Sequence, residues 1–279
     1  MSYQFVILGA GLSGLKAASI AYELNIQDVL IIDYEKKPGG PFSSLFDQVE
    51  FKKEKELLEK SNDLPYEFWY QSTVVGFFPG ENDEKHQISV QTPQGSKDIE
   101  AEHVILCTGA LEKPREAHKI SGSRPSGVMT PAMAVSLIER DYLPGLKPIV
   151  MENNKTSKAI ATLLEGKKVE VQKVSSSEFK VMNIKGNSRV QAVEMFNLNS
   201  EKTVDLSCDT LIFSEGTIPS TFYLKGSMID LDHEQYIKVD QAGRTNMPGV
   251  IALGSCTIIE DYDVFSEQTA GMIKSFLTN

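Results

Sequence analysis

VILGAGLSGLKAA at residues 6–18, followed by VLIIDYE at residues 29–35, reads as strand, tight glycine turn, helix and second strand. The apolar spacing predicts a strand over Tyr3–Leu8, an amphipathic helix over Leu12–Leu24 and a strand over Val29–Asp33, a βαβ unit of ordinary length. Gly9, Gly11 and Gly14 fall at GxGxxG spacing, with Ala10, Leu12 and Ser13 between them. Each glycine has a physical task in that pattern. The first makes the turn, the second lets backbone approach a pyrophosphate, and the third lets helix and strand pack closely. The amino end of the helix adds outward N–H groups and the positive end of its dipole. Asp33, 19 residues beyond Gly14 and followed by Tyr34, closes the second strand. A carboxylate there accepts hydrogen bonds from ribose hydroxyls and repels a 2′-phosphate. The stretch therefore points to a dinucleotide site.

The surrounding composition bounds the rest. With 279 residues, 41% hydrophobic and 24% charged, the chain suits one large globular domain or two ordinary ones. No apolar run reaches the roughly 18 residues of a membrane-spanning helix, so no membrane-spanning segment is expected. MSYQFVILGAG enters a strand without a basic n-region or a cleavage site, so a cytoplasmic location is expected. A formal charge of −10 disfavours nucleic acid and anionic membranes as partners. FKKEKELLEK at residues 51–60 interleaves its lysines with glutamates and reads as a solvated helix. Cys107, Cys208 and Cys256 give no CxxC redox or zinc pattern, and His86, His103, His118 and His233 show no metal spacing. No metal is expected.

Further along, YEFWYQSTVVGFF, HQISVQT and DIEAEHVILC read as three strands, the last two joined by a turn at PQGS. GALEKPREAHKISGSRPSG, from Gly109 to Gly127, marks a crossing between domains. A second α/β unit follows: helix TPAMAVSLIER, strand KPIVM, helix KTSKAIATLLEG, strand KVEVQKV, strands around FKVMNI and SRVQAVEMFN, and strand DTLIFS. GVIALGSC and the closing helix then return to the first domain. The expected fold is α/β, with two Rossmann-like dinucleotide-binding domains, the second inserted in the first. Residues 1–115 and 245–279 would form one, residues 116–244 the other.

The second unit repeats the strand-turn-helix outline at IVMENNKTSKAIATLL, but Glu152, Asn153, Asn154, Lys155, Thr156 and Ser157 stand where a nucleotide turn needs glycines. Side chains there obstruct a diphosphate, and VEVQKVSSS supplies neither an acid for NAD nor an arginine for a 2′-phosphate. Loss of ordinary NAD(P)H binding is expected. The alternative is an unusual mode, with Lys155 meeting phosphate and Asn153 or Asn154 in a left-handed turn.

GAGLSGLKAA, VLIIDYEKKPGG, AEHVILCTGALEKP, CDTLIFSEGTIPS and GVIALGSC follow the order of flavoproteins with two dinucleotide-binding domains, the broad pyridine nucleotide-disulfide oxidoreductase-like group that includes thioredoxin and disulfide reductases. LEKPREAHKISGSRPSGVMTPAMAVSLIERDYLPG and IIEDYDVFSEQTAG further resemble the FAD subunits of opine and sarcosine oxidases and of hydrogen cyanide synthase. The chain is also similar to a flavoprotein that accompanies anaerobic glycerol-3-phosphate dehydrogenase. The resemblance implies FAD in the first domain. Gly9, Gly11 and Gly14 would cradle the diphosphate and Asp33 would meet the adenosine ribose. Gly39 and Gly40 would carry a loop close under the cofactor, and backbone near Val74 would meet the adenine. Thr108 and Gly109 would pass beside the diphosphate, and Gly254 would bring the last strand to the ribityl chain. Glu267 and Gln268, at the start of the final helix, would face the flavin pyrimidine edge, where helix N–H groups stabilise negative charge. Ser255 stands where many of these proteins have an aspartate.

Catalytic residues are not assignable from this pattern, because the flavin supplies the redox chemistry. Cys107 and Cys256 both end strands and read as small buried apolar side chains rather than a redox pair. Glu260, Asp261 and Asp263 read as capping the last helix, and Trp69 with Phe68 and Tyr70 as strand and core. Three functional readings stand: an FAD-dependent oxidoreductase or flavoprotein subunit of a dehydrogenase complex, acting with a partner subunit or as a homo-oligomer; an NAD(P)H-dependent reductase without a CxxC; and a non-catalytic scaffold.

Overall fold

A computed structural model describes residues 1–80, 84–259 and 263–278. The chain divides into two compact units, the first of residues 1–40, 53–111 and 218–279 and the second of residues 41–52 and 112–217.

In the first unit, β1 (Ser2–Leu8), α1 (Leu12–Glu23) and β2 (Val29–Ile32) form the expected βαβ. After two short turns come α2 (Lys52–Ser61), β3 (Glu67–Trp69), β4 (Thr73–Phe78), β5 (His86–Thr92) and β6 (Gly95–Leu106). The sheet runs β3-β2-β1-β6-β5-β4. All four residues of β2, and Phe5 to Leu8 of β1, are buried, as parallel strands covered on both faces require. Their alternation serves two cores. Phe5, Ile7 and Ile31 pack with α1 and the C-terminal helix, whereas Val6, Leu8, Leu30 and Ile32 pack on the other face with Phe77, Ile88 and Val90. Each such side chain contributes roughly 1.5–3 kcal/mol. Gly14, Ala17, Ala18 and Ala21 keep the buried side of α1 thin.

β6 changes character along its length. Its first part alternates buried and exposed residues and pairs antiparallel with β5, while Val104, Ile105 and Leu106 are all buried. That buried end lies parallel to β1 on one side and to β17 (Val250–Ala252), the last strand among the described residues, on the other.

β7 (Ala110–Glu112) leads out and β16 (Thr217–Pro219) leads back, and the two pair as a ribbon. Between them lie β8 (Ser121–Gly122), β9 (Val128–Met129), α3 (Pro131–Glu139), β10 (Pro148–Glu152), α4 (Lys155–Gly166), β11 (Gln172–Ser175), β12 (Phe179–Gly186), β13 (Val190–Asn197), β14 (Lys202–Ser207) and β15 (Thr210–Ile212). A parallel sheet β11-β10-β15-β9 and a second sheet β14-β13-β12-β8 repeat the plan of the first unit, so both units are Rossmann-like. The chain closes with α5 (Glu267–Leu277), which packs on α1. Among the described residues no helix is long and apolar enough to cross a membrane.

The structure differs from the sequence reading in several places. YEFWYQSTVVGFF makes two strands rather than one, because Gln71 adopts φ 50° and turns the chain between β3 and β4. β14 was not expected. The return to the first unit falls at Ile218 rather than residue 245, since Tyr223, Leu224, Ile229 and Ile237 are buried in the core beside β5 and β6.

Candidate functional site

The carboxyl ends of β1, β2, β6 and β17 lead into Gly9, Asp33, Cys107 and Leu253, the end of an open α/β sheet where ligands are bound. Gly9 has φ 108°, and a Cβ there would run into the Cys107 carbonyl oxygen. A Cβ on Gly14 would run into the Gly9 carbonyl oxygen. Both glycines are demanded by packing. Gly11 is different: a Cβ would meet nothing within 4 Å beyond its own stretch of backbone. Folding leaves that space open beside the start of α1, whose cap residue is Gly11 itself and supplies no side-chain hydrogen bond.

The other expected residues gather around this turn. Asp33 is buried, accepts the Ala10 N–H on one carboxylate oxygen, and accepts the Glu35 N–H at 2.7 Å on the other. Burial pushes its pKa up, and these two N–H groups oppose the rise. Gly39 N–H donates to the Ala10 carbonyl at 2.9 Å, and a Cβ on Gly40 would lie 3.9 Å from Gly11 Cα. Tyr34, beside Asp33, keeps 55% of its surface exposed, and the partial loss of solvent together with the nearby Glu35 and Asp33 carboxylates raises its pKa. Gln71 N–H donates to the Glu35 carbonyl and Ser72 N–H to the Asp33 carbonyl, carrying the chain past this acid two residues before Val74. Thr108 Oγ1 donates to the Ser220 carbonyl at 2.9 Å. A Cβ on Gly109 would lie 3.6 Å from Ser255 Oγ, so those loops adjoin. Gly254 (φ 83°) lies against Ser13, whose hydroxyl a Cβ would strike. Leu12 packs against the core. Glu267 and Gln268 are exposed in the first turn of α5, capped by Ser266 through the Thr269 N–H at 3.1 Å. The Ser13–Gly254 contact is the one sequence reasoning missed as a pair, since the two lie at opposite ends of the chain.

Cys107 packs in the core on the helix side of the sheet and Cys256 in the core on the other side. Both thiols are free and buried, and burial raises both pKa values. Cys208 is pushed up to about 11 by burial. Among the described residues no group of His, Cys, Asp or Glu could hold a metal ion. Asp263 Oδ1 accepts the Phe265 N–H at 2.9 Å ahead of α5, but the cap itself is Ser266. Glu260 and Asp261 lie outside the described residues. Trp69 is half-buried, with Nε1 donating to Glu67 and Lys97 over its ring at 4.5 Å.

The equivalent turn of the second unit is closed by its own side chains. Ser157 Oγ accepts the N–H groups of Asn153 (3.0 Å) and Asn154 (3.2 Å), and Asn154 Oδ1 accepts the Ser157 N–H at 3.0 Å. This reciprocal cap occupies donors that a diphosphate uses. Asn154 is extended (φ −156°) and neither asparagine has positive φ, so the left-handed turn is not formed. Lys155 lies 4.8 Å above the Phe51 ring. A hollow of about 400 Å³ lined by Glu152, Lys158 and Ser175 to Ser177 lies beside this turn. Ser157 was readable as a third-position capping serine, but its meaning appears only with the two asparagine amides converging on it.

Known proteins agree with this architecture. The chain is similar to thioredoxin reductase of Spironucleus barkhanus, 36% identical over 77 residues, covering 27% of this chain and 25% of that protein. It is similar to thioredoxin reductase of Chlamydia trachomatis, 29% identical over 99 residues, covering 33% and 31%. The matches thus span about a third or less of those relatives. Among solved structures, L-proline dehydrogenase from P. horikoshii has a TM-score of 0.71 at 21% identity, covering 93% of this chain and 51% of that one. Thioredoxin reductase of T. acidophilum has a TM-score of 0.65 at 20% identity, covering 99% and 98%. Ornithine N-hydroxylase of Kutzneria sp. 744, solved with reduced FAD, NADP+ and L-ornithine, has a TM-score of 0.67 at 14% identity, covering 100% and 99%. These likenesses concern the fold. Residues 132–272, half of the chain, match the family model described as pyridine nucleotide-disulphide oxidoreductase, and the chain belongs to that family.

Proposed function

We propose that this chain is an FAD-dependent oxidoreductase that works as the flavoprotein subunit of a dehydrogenase complex, with ordinary NAD(P)H binding lost from its second unit. The space left open at Gly11 fits a dinucleotide diphosphate, and Asp33 keeps acceptor capacity beyond its two backbone donors. In this reading the residues around Gly9, Gly11 and Gly14 hold the diphosphate, and Asp33 meets the adenosine ribose. Backbone near Val74 meets the adenine, and Gly254 and Ser255 lie beside the ribityl chain. The α5 amino end, at Glu267 and Gln268, stabilises negative charge on the flavin pyrimidine. FAD, when bound, supplies the one- and two-electron chemistry. The chain's own part is to hold, orient and polarise.

The observation that carries the reading is the Ser157 cap, which uses the amides of Asn153 and Asn154 internally. With the nucleotide donors taken, electrons come from a partner subunit. The resemblance to the FAD subunits of opine and sarcosine oxidases supports this. The experiment is an anaerobic spectral titration of the flavin-loaded protein. NADH and NADPH should leave the flavin bands unchanged while dithionite bleaches them. Stoichiometric bleaching by either nucleotide overturns the reading.

The second reading is an NAD(P)H-dependent reductase, favoured by the thioredoxin reductase relatives and the open hollow beside α4. Against it, the chain has no CxxC, and all three cysteines are buried and free. A protein that stays colourless after incubation with FAD would favour a scaffold.

A further inference from the structure

The segment after β7 gathers positive charge on an otherwise acidic chain. Residues 113–124 carry Lys113, Arg115, Lys119 and Arg124 against Glu116 alone, although the whole chain has a formal charge of −10. Glu112, the carboxylate just before them, is turned toward α3, where Oε2 accepts the Ala132 N–H at 2.8 Å. Arg115 and Arg124 stand, with the single carboxylate Glu116, at a hollow of about 180 Å³ whose apolar lining includes Pro125, Val128, Met129 and Phe213.

Arg115 is half-buried, and its Nη2 donates to the Ser123 carbonyl at 2.6 Å, which fixes the direction of its fork. Burial lowers its pKa, and the neighbouring Arg124 lowers it further against the opposing Glu116. No carboxylate of the described residues closes an ion pair with either arginine. Arg124 and Glu116 act on Arg115 in opposite senses, and both arginines line the same hollow, so an anion bound there would be attracted by two guanidinium groups. Guanidinium forks match a carboxylate in geometry as well as charge. The amino end of α3 does not supply the grip, because the N–H groups of Ala132 and Met133 are taken by Glu112 and Thr130.

We propose that this hollow binds a small organic carboxylate, held by Arg115 and Arg124 with its apolar body against Val128 and Phe213. Sites for drug-sized molecules run to roughly 300–1,000 Å³, so this volume suits a smaller ligand. The proposal goes beyond the flavin reading and stands or falls separately from it, since its readout is heat of binding and needs no redox activity.

The test is isothermal titration of the full chain, as purified, with benzoate, using acetate and sulfate as comparisons. The expected result is saturable one-to-one binding of benzoate, tighter than either comparison and weakened about tenfold or more in Arg115→Gln and in Arg124→Gln, the loss of a charged hydrogen-bond partner. Arg124 is exposed, so its variant keeps the fold even where Arg115→Gln does not. No saturable binding, affinity unchanged in Arg124→Gln, or tighter binding of sulfate than of benzoate would each overturn the proposal.

Discussion

The carboxylate of Asp33 accepts the N–H of Ala10, so the acid at the end of β2 and the glycine turn at the end of β1 are fastened to each other. The other oxygen holds the Glu35 N–H. The turn and the acid form one hydrogen-bonded assembly.

Asp33→Asn keeps the shape but presents an amide NH2 to one of these two donors. The expected cost is about 1–3 kcal/mol of stability, the penalty of a buried unsatisfied group, together with weaker flavin retention. Urea unfolding and the absorbance left after desalting check the two effects. An unchanged midpoint would remove Asp33 from the turn's support.

Gly11→Val and Gly14→Ala should separate ligand binding from folding. A Cβ placed at Gly11 points into open space, so the valine variant is expected to fold with stability near that of the parent and to lose flavin. Gly14→Ala drives a methyl into the Gly9 carbonyl and should lower the melting temperature sharply. Circular dichroism melts beside flavin absorbance decide the matter. Unchanged FAD affinity in Gly11→Val would sink the site assignment.

Acid should weaken the first unit through two histidines. His86 is buried and its Nδ1 accepts the Gly80 N–H at 3.1 Å, which requires that nitrogen unprotonated. His103 stacks on Phe5 at 4.8 Å and meets the edge of Phe276. Burial lowers both pKa values; the facing His103 adds to this at His86, whereas Glu102 opposes it at His103. The unfolded chain therefore takes up protons first. The stability these groups contribute is present above about pH 6.5, the ordinary histidine value, and is lost as pH falls through their lower folded values. Melting temperature measured from pH 8 to pH 5 should fall, and His86→Gln should flatten the slope.

The thiols should be silent. All three are buried with raised pKa values, and reactivity follows the exposed thiolate. A chromogenic disulfide reagent is expected to report almost no thiol in the native protein at neutral pH and all three after denaturation. Fast reaction of one native thiol would point to an opening of its core.

The glycine turn and the strands on either side of it were readable because glycine spacing and apolar period constrain a chain locally. Gly9 and Gly14 answer to backbone atoms close to them in the fold, and Gly39 returns to Ala10. Residues 218–244 carry little regular structure, so their place in the first core had no periodic signal; Tyr223 and Ile237 are buried by tertiary contact alone. The break at Gln71 depends on a positive φ in a residue type that does not advertise one. Cys107 and Cys256 lie far apart in sequence and follow two strands that pair with each other, and only the fold shows them packed in cores on opposite sides of the sheet.

β6 serves two neighbours on one edge, β5 along its first part and β17 along its last. For protein engineering this means that the first unit has no smaller version. Trimming away β4 and β5 as an ornament would strip the early half of β6 and leave an open ladder inviting aggregation. Inserting one residue midway along it would turn the inward side chains outward on one side of the insertion. A graft of this nucleotide cradle onto another scaffold has to carry the hairpin with it.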